Sequence, residues 1–223
     1  MKRTILSVAI VATSLFAISC KQHQNEKTAC NPNDSILVEN IQYVIVAEEQ
    51  SSANNKAYSQ KATEEKHKNV AKLFTAKAKA DSLRAEKHKS LLAKITDTTK
   101  LAPRPAPKTV IPKSTPENLK QSINDDEYQI TIIYPNYIEQ ATMMGDSLTV
   151  TTLQWASEGR ANDKNYGMAV LETVSKNGTD VNVSDTWFVC PACGSISDSI
   201  PKSGTKNCNQ CGVAEQDYIV ISN

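Results

Sequence analysis

The sequence predicts a mainly helical protein, in which four helices form a bundle and a small β module with a four-cysteine metal site follows them. Three observations support this prediction. A long stretch without Gly or Pro has a helical composition, a proline-rich segment divides the helical regions, and two Cys-x-x-Cys pairs lie near the C-terminus. With 223 residues, of which 39% are hydrophobic and 22% charged, the chain can bury a core.

The charge balance excludes one class of partner. The chain carries 25 Lys and Arg against 24 Asp and Glu, a formal net charge of +1. Such a chain has no broad positive field to attract a polyphosphate backbone. Nucleic acid is therefore not an expected partner.

The N-terminus has the pattern of an export signal. Lys2 and Arg3 precede an apolar run from Ile5 to Ile18. This run is shorter than the roughly 20 residues that a membrane-spanning helix needs. Residues 1–20 are therefore predicted to be a secretory signal peptide.

The end of this signal resembles the lipobox of bacterial lipoproteins, because the small Ser19 directly precedes Cys20. The resemblance implies a mature protein that begins at a lipidated Cys20, is exported, and is anchored to a bacterial membrane. Residues 21–34 are expected to form a polar tether, in which the role of Cys30 stays open. A plain cleaved signal peptide is the alternative.

The C-terminal cysteines have the spacing of a metal site. Each Cys-x-x-Cys pair can wrap a tight turn that directs two sulfurs at one ion. Gly194 and Gly212, each directly after a pair, permit the positive φ of such turns. The predicted ligands are Cys190, Cys193, Cys208 and Cys211.

The residues around these cysteines favour a small β domain over residues 183–223. The flanks at 187–189 and 217–221 are rich in β-branched and aromatic residues and are predicted strands. Four thiolates suit either iron, which would make an electron carrier, or zinc, which would make a structural ribbon. Two disulfides are the third interpretation for an exported chain.

The first two helices are expected between Asp34 and Ile95, where Ala, Lys, Glu, Gln and Leu are abundant and Gly and Pro are absent. In the second helix, one stripe at helical spacing becomes polar toward its end. The stripe contains Val70, Leu73, Phe74, Lys77, Asp81, Arg84 and His88.

A proline-rich crossover, predicted at 98–115, follows these helices. Residues 101–116 contain five prolines and should be extended. A third helix is expected to end near Met144, and a fourth to start after Gly145. Two helical pairs joined by a long crossover predict a ferritin-like four-helix bundle over residues 35–177.

Several segments resemble the rubrerythrin family. They are TPENLKQSI at 115–123, EYQITIIYPNYIEQA at 127–141, LQWASE at 153–158, and the cysteine module. The resemblance covers about residues 36–221. It implies a ferritin-like bundle with a C-terminal rubredoxin-like domain, and a non-haem di-iron peroxidase that receives electrons from the rubredoxin iron.

The resemblance also allows the di-iron ligands, five glutamates and two histidines in the family, to be checked position by position. Glu48 is retained, Asp81 replaces a glutamate and Arg84 a histidine. Gln129 and Ile132 replace two glutamates of the third helix. On the fourth helix, the family's Glu-x-x-His becomes Arg160 and Asp163. The family's di-iron site is therefore expected to be largely lost.

Charge pairing is the expected use of these positions. Buried arginines are costly unless carboxylates accompany them. We expect Arg84 and Arg160 to form salt bridges with Glu48, Asp81 and Asp163 in the former metal cavity. Ile132 is expected to add apolar filling, and His88 to have a packing or polar-network role.

The resulting functional hypothesis is an exported, lipid-anchored, rubrerythrin-like electron carrier with iron on its four cysteines. A peroxide reductase with an altered di-iron site and a zinc-containing structural protein are the alternatives, so enzymatic activity stays open. The resemblance further implies a homodimer that joins the bundle and the rubredoxin-like domain of different subunits. The redox partner is not identified.

Overall fold

The computed structural model describes residues 32–199 and 207–222. The predicted signal peptide and the predicted lipidation site Cys20 lie outside the described residues, as does Cys30. Within those two ranges, none of the helices combines the length and the apolar character that crossing a membrane requires.

Two long antiparallel helices form the first half of the bundle. Helix α1 spans Pro32–Glu64 and helix α2 spans Lys68–Ile95. Because α1 begins at Pro32, residues 32–34, the end of the predicted tether, are helical. Proline is favoured at a helix start because its missing N–H has no partner there.

The predicted crossover contains one short 3₁₀ turn, Thr98–Lys100, and then no helix or strand before residue 115. Helix α3, Thr115–Tyr128, begins after a capping interaction. The carboxylate of Glu117 accepts hydrogen bonds from the N–H and the hydroxyl of Ser114. This arrangement satisfies polar groups that a helix start leaves without partners.

The third long helical segment is not a uniform α-helix. A π-helical turn, Gln129–Ile133, separates α3 from α4, Tyr134–Met143. Gly145 (φ 72°) then permits a left-handed turn, and the Asp146 carboxylate accepts a hydrogen bond from the Thr149 N–H. Helix α5 follows over Ser147–Asn177.

The C-terminal module is a three-stranded antiparallel sheet in the order β2-β1-β3. The strands are β1 (Trp187–Val189), β2 (Ile196–Ser197) and β3 (Ile219–Ile221), and a 3₁₀ turn, Glu215–Asp217, precedes β3. Phe188 pairs with Ser197 on one side and with Val220 on the other. Strand β1 is therefore the central strand.

The sheet shares a hydrophobic core with the helices. The indole of Trp187 is buried and lies edge-on to Tyr166 of α5, with 5.1 Å between the ring centroids. Val189 and Ile196 belong to the same cluster as Leu73 and Phe74 of α2. Apolar burial of this kind holds the module against the bundle.

Candidate functional site

The four predicted cysteine ligands converge. Their sulfur atoms all lie within 4.8 Å of one another. The Sγ–Sγ distance is 3.5 Å between Cys190 and Cys211 and 3.7 Å between Cys193 and Cys208. A tetrahedral ion with metal–sulfur bonds of about 2.3 Å requires sulfurs about 3.8 Å apart, so the arrangement fits such an ion.

The cysteines are not joined as disulfides, which the sequence had left as one interpretation. All four are free thiols, and their sulfur separations are far longer than the roughly 2.05 Å of a disulfide bond. Across residues 32–199 and 207–222, they form the one group of three or more Cys, His, Asp or Glu side chains with metal-binding geometry.

Two glycines shape the cysteine turns as the sequence predicts. Gly194 has φ 71° and Gly212 has φ 74°. Their N–H groups donate to the carbonyl oxygens of Cys190 and Cys208, at 3.0 and 2.9 Å. Left-handed backbone costs glycine little, so each turn closes without strain.

Backbone N–H groups point at the sulfurs. The thiol of Cys193, and then the N–H groups of Cys193 and Ala192, lower the pKa of Cys190 to about 5 despite its burial. The neighbouring Cys190 thiol and burial raise the pKa of Cys193, and burial raises the pKa of Cys211, but the N–H of Ser195 donates to the Cys193 sulfur and the N–H of Val213 to the Cys211 sulfur. Such donors stabilise thiolates, the form that binds a metal.

A second cluster lies in the centre of the bundle, around Glu48. The carboxylate of Glu48 accepts hydrogen bonds from Arg160 Nε at 3.0 Å and Nη2 at 2.9 Å, and from Arg84 Nε at 3.2 Å. The hydroxyl of Tyr134 donates to it at 2.6 Å. Burial alone would raise the pKa of Glu48, but the guanidinium groups of Arg160 and Arg84 lower this pKa to about 2.

Arg84 connects this cluster to both other predicted carboxylates. Its Nη2 lies 2.5 Å from Asp81 Oδ1 and 2.7 Å from Asp163 Oδ2. Burial opposes its charge, but Asp163, Glu48 and Asp81 together raise the pKa of Arg84 well above its ordinary value. Five of the seven positions predicted from the di-iron ligands are therefore brought together, those of Glu48, Asp81, Arg84, Arg160 and Asp163.

Two charged members of this cluster were not predicted. Lys77 Nζ lies 2.6 Å from Asp126 Oδ2, and the other oxygen of Asp126 lies 2.9 Å from Arg160 Nη1. All three side chains are buried. Lys77 was on the polar stripe of the second helix, but nothing in the resemblance pointed to Asp126.

The cluster holds one more carboxyl group than cations among the described residues. Its cations are Lys77, Arg84 and Arg160, and its carboxyl groups are Glu48, Asp81, Asp126 and Asp163. Burial raises the pKa of Asp81 to about 7, against the attraction of Arg160 and Arg84. Near neutral pH, Asp81 can therefore keep a proton that balances the cluster.

The two remaining predicted positions behave differently from each other. Gln129 is buried, whereas Ile132 is 46% exposed. The prediction that Ile132 fills the cavity is wrong. Both residues lie in the π-helical turn, in which the wider i→i+5 spacing changes the direction of successive side chains.

His88 has the polar-network role that the sequence predicts. It is fully buried, and its Nε2 lies 3.4 Å from the hydroxyl of Tyr134. Burial lowers the pKa of His88 to about 4. The imidazole is therefore neutral near pH 7 and adds no fourth cation to the cluster.

The cysteine turns lie directly against the bundle of the same chain. Arg84 Nη1 donates to the carbonyl oxygen of Gly194 at 3.1 Å. Asn162 Nδ2 donates to Ser195 Oγ at 2.9 Å, and Gln210 Nε2 to the carbonyl oxygen of Trp155. This contact between bundle and module needs no second subunit, and the homodimer stays a prediction.

A family model described as rubrerythrin matches residues 39–159, more than half of the chain. The chain belongs to the rubrerythrin family. The fully reduced, all-ferrous state of nigerythrin is 21% identical, with a TM-score of 0.73 over 88% of this rubrerythrin-family chain and 90% of nigerythrin. A partially reduced state of nigerythrin is 22% identical, with a TM-score of 0.72 over 89% and 90%.

A more distant similarity links this rubrerythrin-family protein to an open-pore ferritin from Archaeoglobus fulgidus. The identity is 16% and the TM-score 0.56, over 66% of this chain and 88% of the ferritin. No curated protein sequence matches the chain. The similarities confirm the predicted fold, a ferritin-like bundle followed by a small β region with four clustered cysteines.

Proposed function

We propose that this protein is an electron carrier in which Cys190, Cys193, Cys208 and Cys211 bind iron in a rubredoxin-type site. The observation that carries this proposal is the contrast between its two clusters. Four sulfurs have the spacing of one tetrahedral ion. By contrast, the carboxylates at the centre of the bundle already form ion pairs with arginine side chains.

The bundle residues do not fit the two irons that the family implies. A di-iron site needs several free carboxylates and imidazoles that bind two hard cations. Here both oxygens of Glu48 accept hydrogen bonds from Arg160, and Arg84 lies between Asp81 and Asp163. Guanidinium groups repel metal cations at these distances, so we propose that the bundle has lost the di-iron centre and its peroxidase chemistry.

The cysteine module supplies what a one-electron carrier needs from a protein. Iron on four thiolates exchanges one electron without a large change in its ligands. The chain holds the sulfurs in two rigid turns, gives them backbone N–H donors, and buries Cys190, Cys193 and Cys208 to 5% exposure or less. Rigid, dry thiolate sites reorganise little when their charge changes.

Zinc is the second candidate, because the sulfur spacing suits zinc as well as iron. With zinc, the module would be a structural ribbon that is packed onto the bundle. A peroxide reductase with an altered di-iron site is the third candidate. Glu48, Asp81 and Asp163 form ion pairs with Arg84, which argues against metal binding by these carboxylates.

We also propose that the protein is exported and lipid-anchored through Cys20. The support is the sequence pattern alone, a basic start, an apolar run and a small residue before the cysteine. Metabolic labelling with a radioactive fatty acid tests this proposal. Wild type should be labelled and Cys20→Ser should not. Labelling of both proteins would contradict lipidation at this cysteine.

The proposed electron transfer is tested by a redox cycle of the iron-loaded protein without oxygen. We expect a visible thiolate-to-iron band that is lost on reduction and returns with a one-electron oxidant. Hydrogen peroxide should be consumed no faster than by a Cys208→Ser control. Catalytic peroxide turnover that survives in the control would identify a reductase in the bundle, and a zinc-only protein without this band would identify a scaffold.

A further inference from the structure

Arg84 belongs to two networks at once. On one side, its guanidinium is held by Glu48, Asp81 and Asp163. On the other side, Nη1 donates to the carbonyl oxygen of Gly194, at 3.1 Å. Gly194 directly follows the metal ligand Cys193, so a buried cation of the bundle contacts the backbone of the metal site.

This contact is made to one particular peptide group. The carbonyl of Gly194 and the N–H of Ser195 belong to the same peptide bond. That N–H donates to the sulfur of Cys193. A charged donor on the oxygen polarises a peptide and makes its N–H a stronger donor. Two hydrogen bonds, joined by this peptide group, therefore connect the Arg84 guanidinium to the Cys193 sulfur.

We propose that Arg84 is a positioning residue that raises the reduction potential of the cysteine-bound iron through the peptide between Gly194 and Ser195. The proposal rests on the proposed electron-carrier function. Reduction adds negative charge to the sulfurs, and hydrogen bonds to cluster sulfurs tune such potentials. A stronger N–H donor stabilises the reduced state more than the oxidised state.

The packing fixes this contact, because two glycines allow a close approach. A Cβ atom at position 159 would lie 3.1 Å from Arg84 Nη1, and a Cβ atom at position 194 would lie 2.9 Å from the carbonyl oxygen of Ala80. The side chain of Arg84 is 1% exposed. Its guanidinium therefore has little freedom to leave the Gly194 carbonyl.

The first test is the reduction potential of the iron-loaded full chain in wild type, Arg84→Gln and Arg160→Gln. Arg160 is the matched control, since it carries the same charge in the same cluster but bonds to Glu48 and Asp126 instead of the cysteine turn. We expect Arg84→Gln to disfavour reduction about tenfold, which is about 59 mV for one electron. Arg160→Gln should have a clearly smaller effect, and equal shifts in the two variants would overturn the proposal.

The second test does not depend on iron or on electron transfer. In the zinc-loaded full chain, the amide proton of Ser195 reports the strength of its bond to sulfur by NMR. Its resonance should move upfield in Arg84→Gln but not in Arg160→Gln, with the Val213 amide at the other turn as an unchanged reference. An unmoved Ser195 resonance would overturn the proposed effect of Arg84 on the Cys193 sulfur. This result would hold even for a protein that naturally binds zinc, in which the proposed electron-carrier function fails.

Arg84→Lys, which keeps the positive charge, serves as a second variant if Arg84→Gln does not fold. Lysine at position 84 can still pair with Asp81 or Asp163, but its single nitrogen cannot bond to both carboxylates and to the Gly194 carbonyl with the fork geometry of arginine. We expect Arg84→Lys to shift the Ser195 resonance in the same direction. A resonance identical to wild type would contradict the proposal.

Discussion

The centre of the bundle and the cysteine module both collect acidic side chains in a buried place, but they balance the charge differently. In the bundle, Glu48, Asp81 and Asp163 lie against arginines of the same chain, and Asp81 can keep a proton. In the module, four thiols converge, and as thiolates they need an external cation. The comparison teaches that a buried acidic cluster is a metal site only where the protein does not supply its own cations.

Burial makes this difference energetically decisive. Moving a charge out of water costs several kcal/mol, and the attraction to a well-placed partner of opposite charge offsets about this much. Arg160 meets Glu48 through two parallel hydrogen bonds, the favourable fork geometry for a guanidinium and a carboxylate. A metal ion entering the bundle would have to displace these bonds.

The largest effect is expected when the bundle loses one of its cations. Arg160→Ala leaves Glu48 and Asp126 with fewer partners in a buried site, and breaking such a pair costs about 3–5 kcal/mol of unfolding free energy. Arg84→Ala should destabilise comparably. Chemical denaturation followed by circular dichroism measures both.

A surface ion pair is the matched control for these two variants. Lys176 contacts Glu172 on the exposed side of α5, where water screens the interaction. Lys176→Ala should leave the denaturation midpoint unchanged. Unchanged midpoints in Arg84→Ala and Arg160→Ala as well would refute the stabilising role of the cluster.

A smaller loss is expected when one neutral donor is removed. Tyr134→Phe deletes the hydroxyl that donates to Glu48 at 2.6 Å, while the ring stays buried. Hydrogen bonds to charged groups contribute about 1.5–3 kcal/mol. The same denaturation assay should give a destabilisation in this range, clearly below that of Arg160→Ala. A neutral Tyr134→Phe variant would mean that the arginines alone satisfy Glu48.

The smallest effect is a gradual one, the change in stability per unit of pH. Burial raises the pKa of Asp81 from 3.8 to about 7, so the folded state keeps a proton that the unfolded state has lost. Stability from this group is complete below about pH 4 and is lost as pH rises to about 7, by up to about 1.4 kcal/mol per pH unit. The stability of wild type minus that of Asp81→Asn should therefore fall over this window and then level off.

This difference between variants cancels the groups that titrate independently of Asp81, whereas Asp163, whose pKa burial also raises, interacts with Asp81 and contributes to the difference. Unfolding free energies at several pH values between 4 and 8 are sufficient. Parallel curves for wild type and Asp81→Asn would show that Asp81 is ionised throughout, and that Asp81 does not hold the proton that balances the cluster.

Much of the fold was predictable, because its signals are local. Spacing and glycine placement specify the cysteine turns, and composition specifies the long helices. The extended crossover follows from its prolines, and α3 begins directly after the capping residue Ser114. The positions of Glu48, Arg84 and Arg160 followed from the family resemblance.

The rest depends on information that is not local. Asp126 lies one helical turn before Gln129 on the same inner face, but only the packed bundle shows that it reaches both Lys77 and Arg160. The exposure of Ile132 depends on the π-helical turn. The hydrogen-bonding pattern of that turn has no clear signature in the sequence QITII.

The most direct test of the account is the iron content of two proteins produced with iron in excess, wild type and Cys193→Ser/Cys208→Ser. The account predicts about one iron per wild-type chain and almost none in the variant, because arginines pair with the carboxylates of the bundle and the four cysteines supply the tetrahedral site. Elemental analysis, with circular dichroism to verify that the helices of the variant are intact, gives both values. About three irons in wild type, with about two retained in the variant, would contradict the account and place a di-iron centre among Glu48, Asp81 and Asp163.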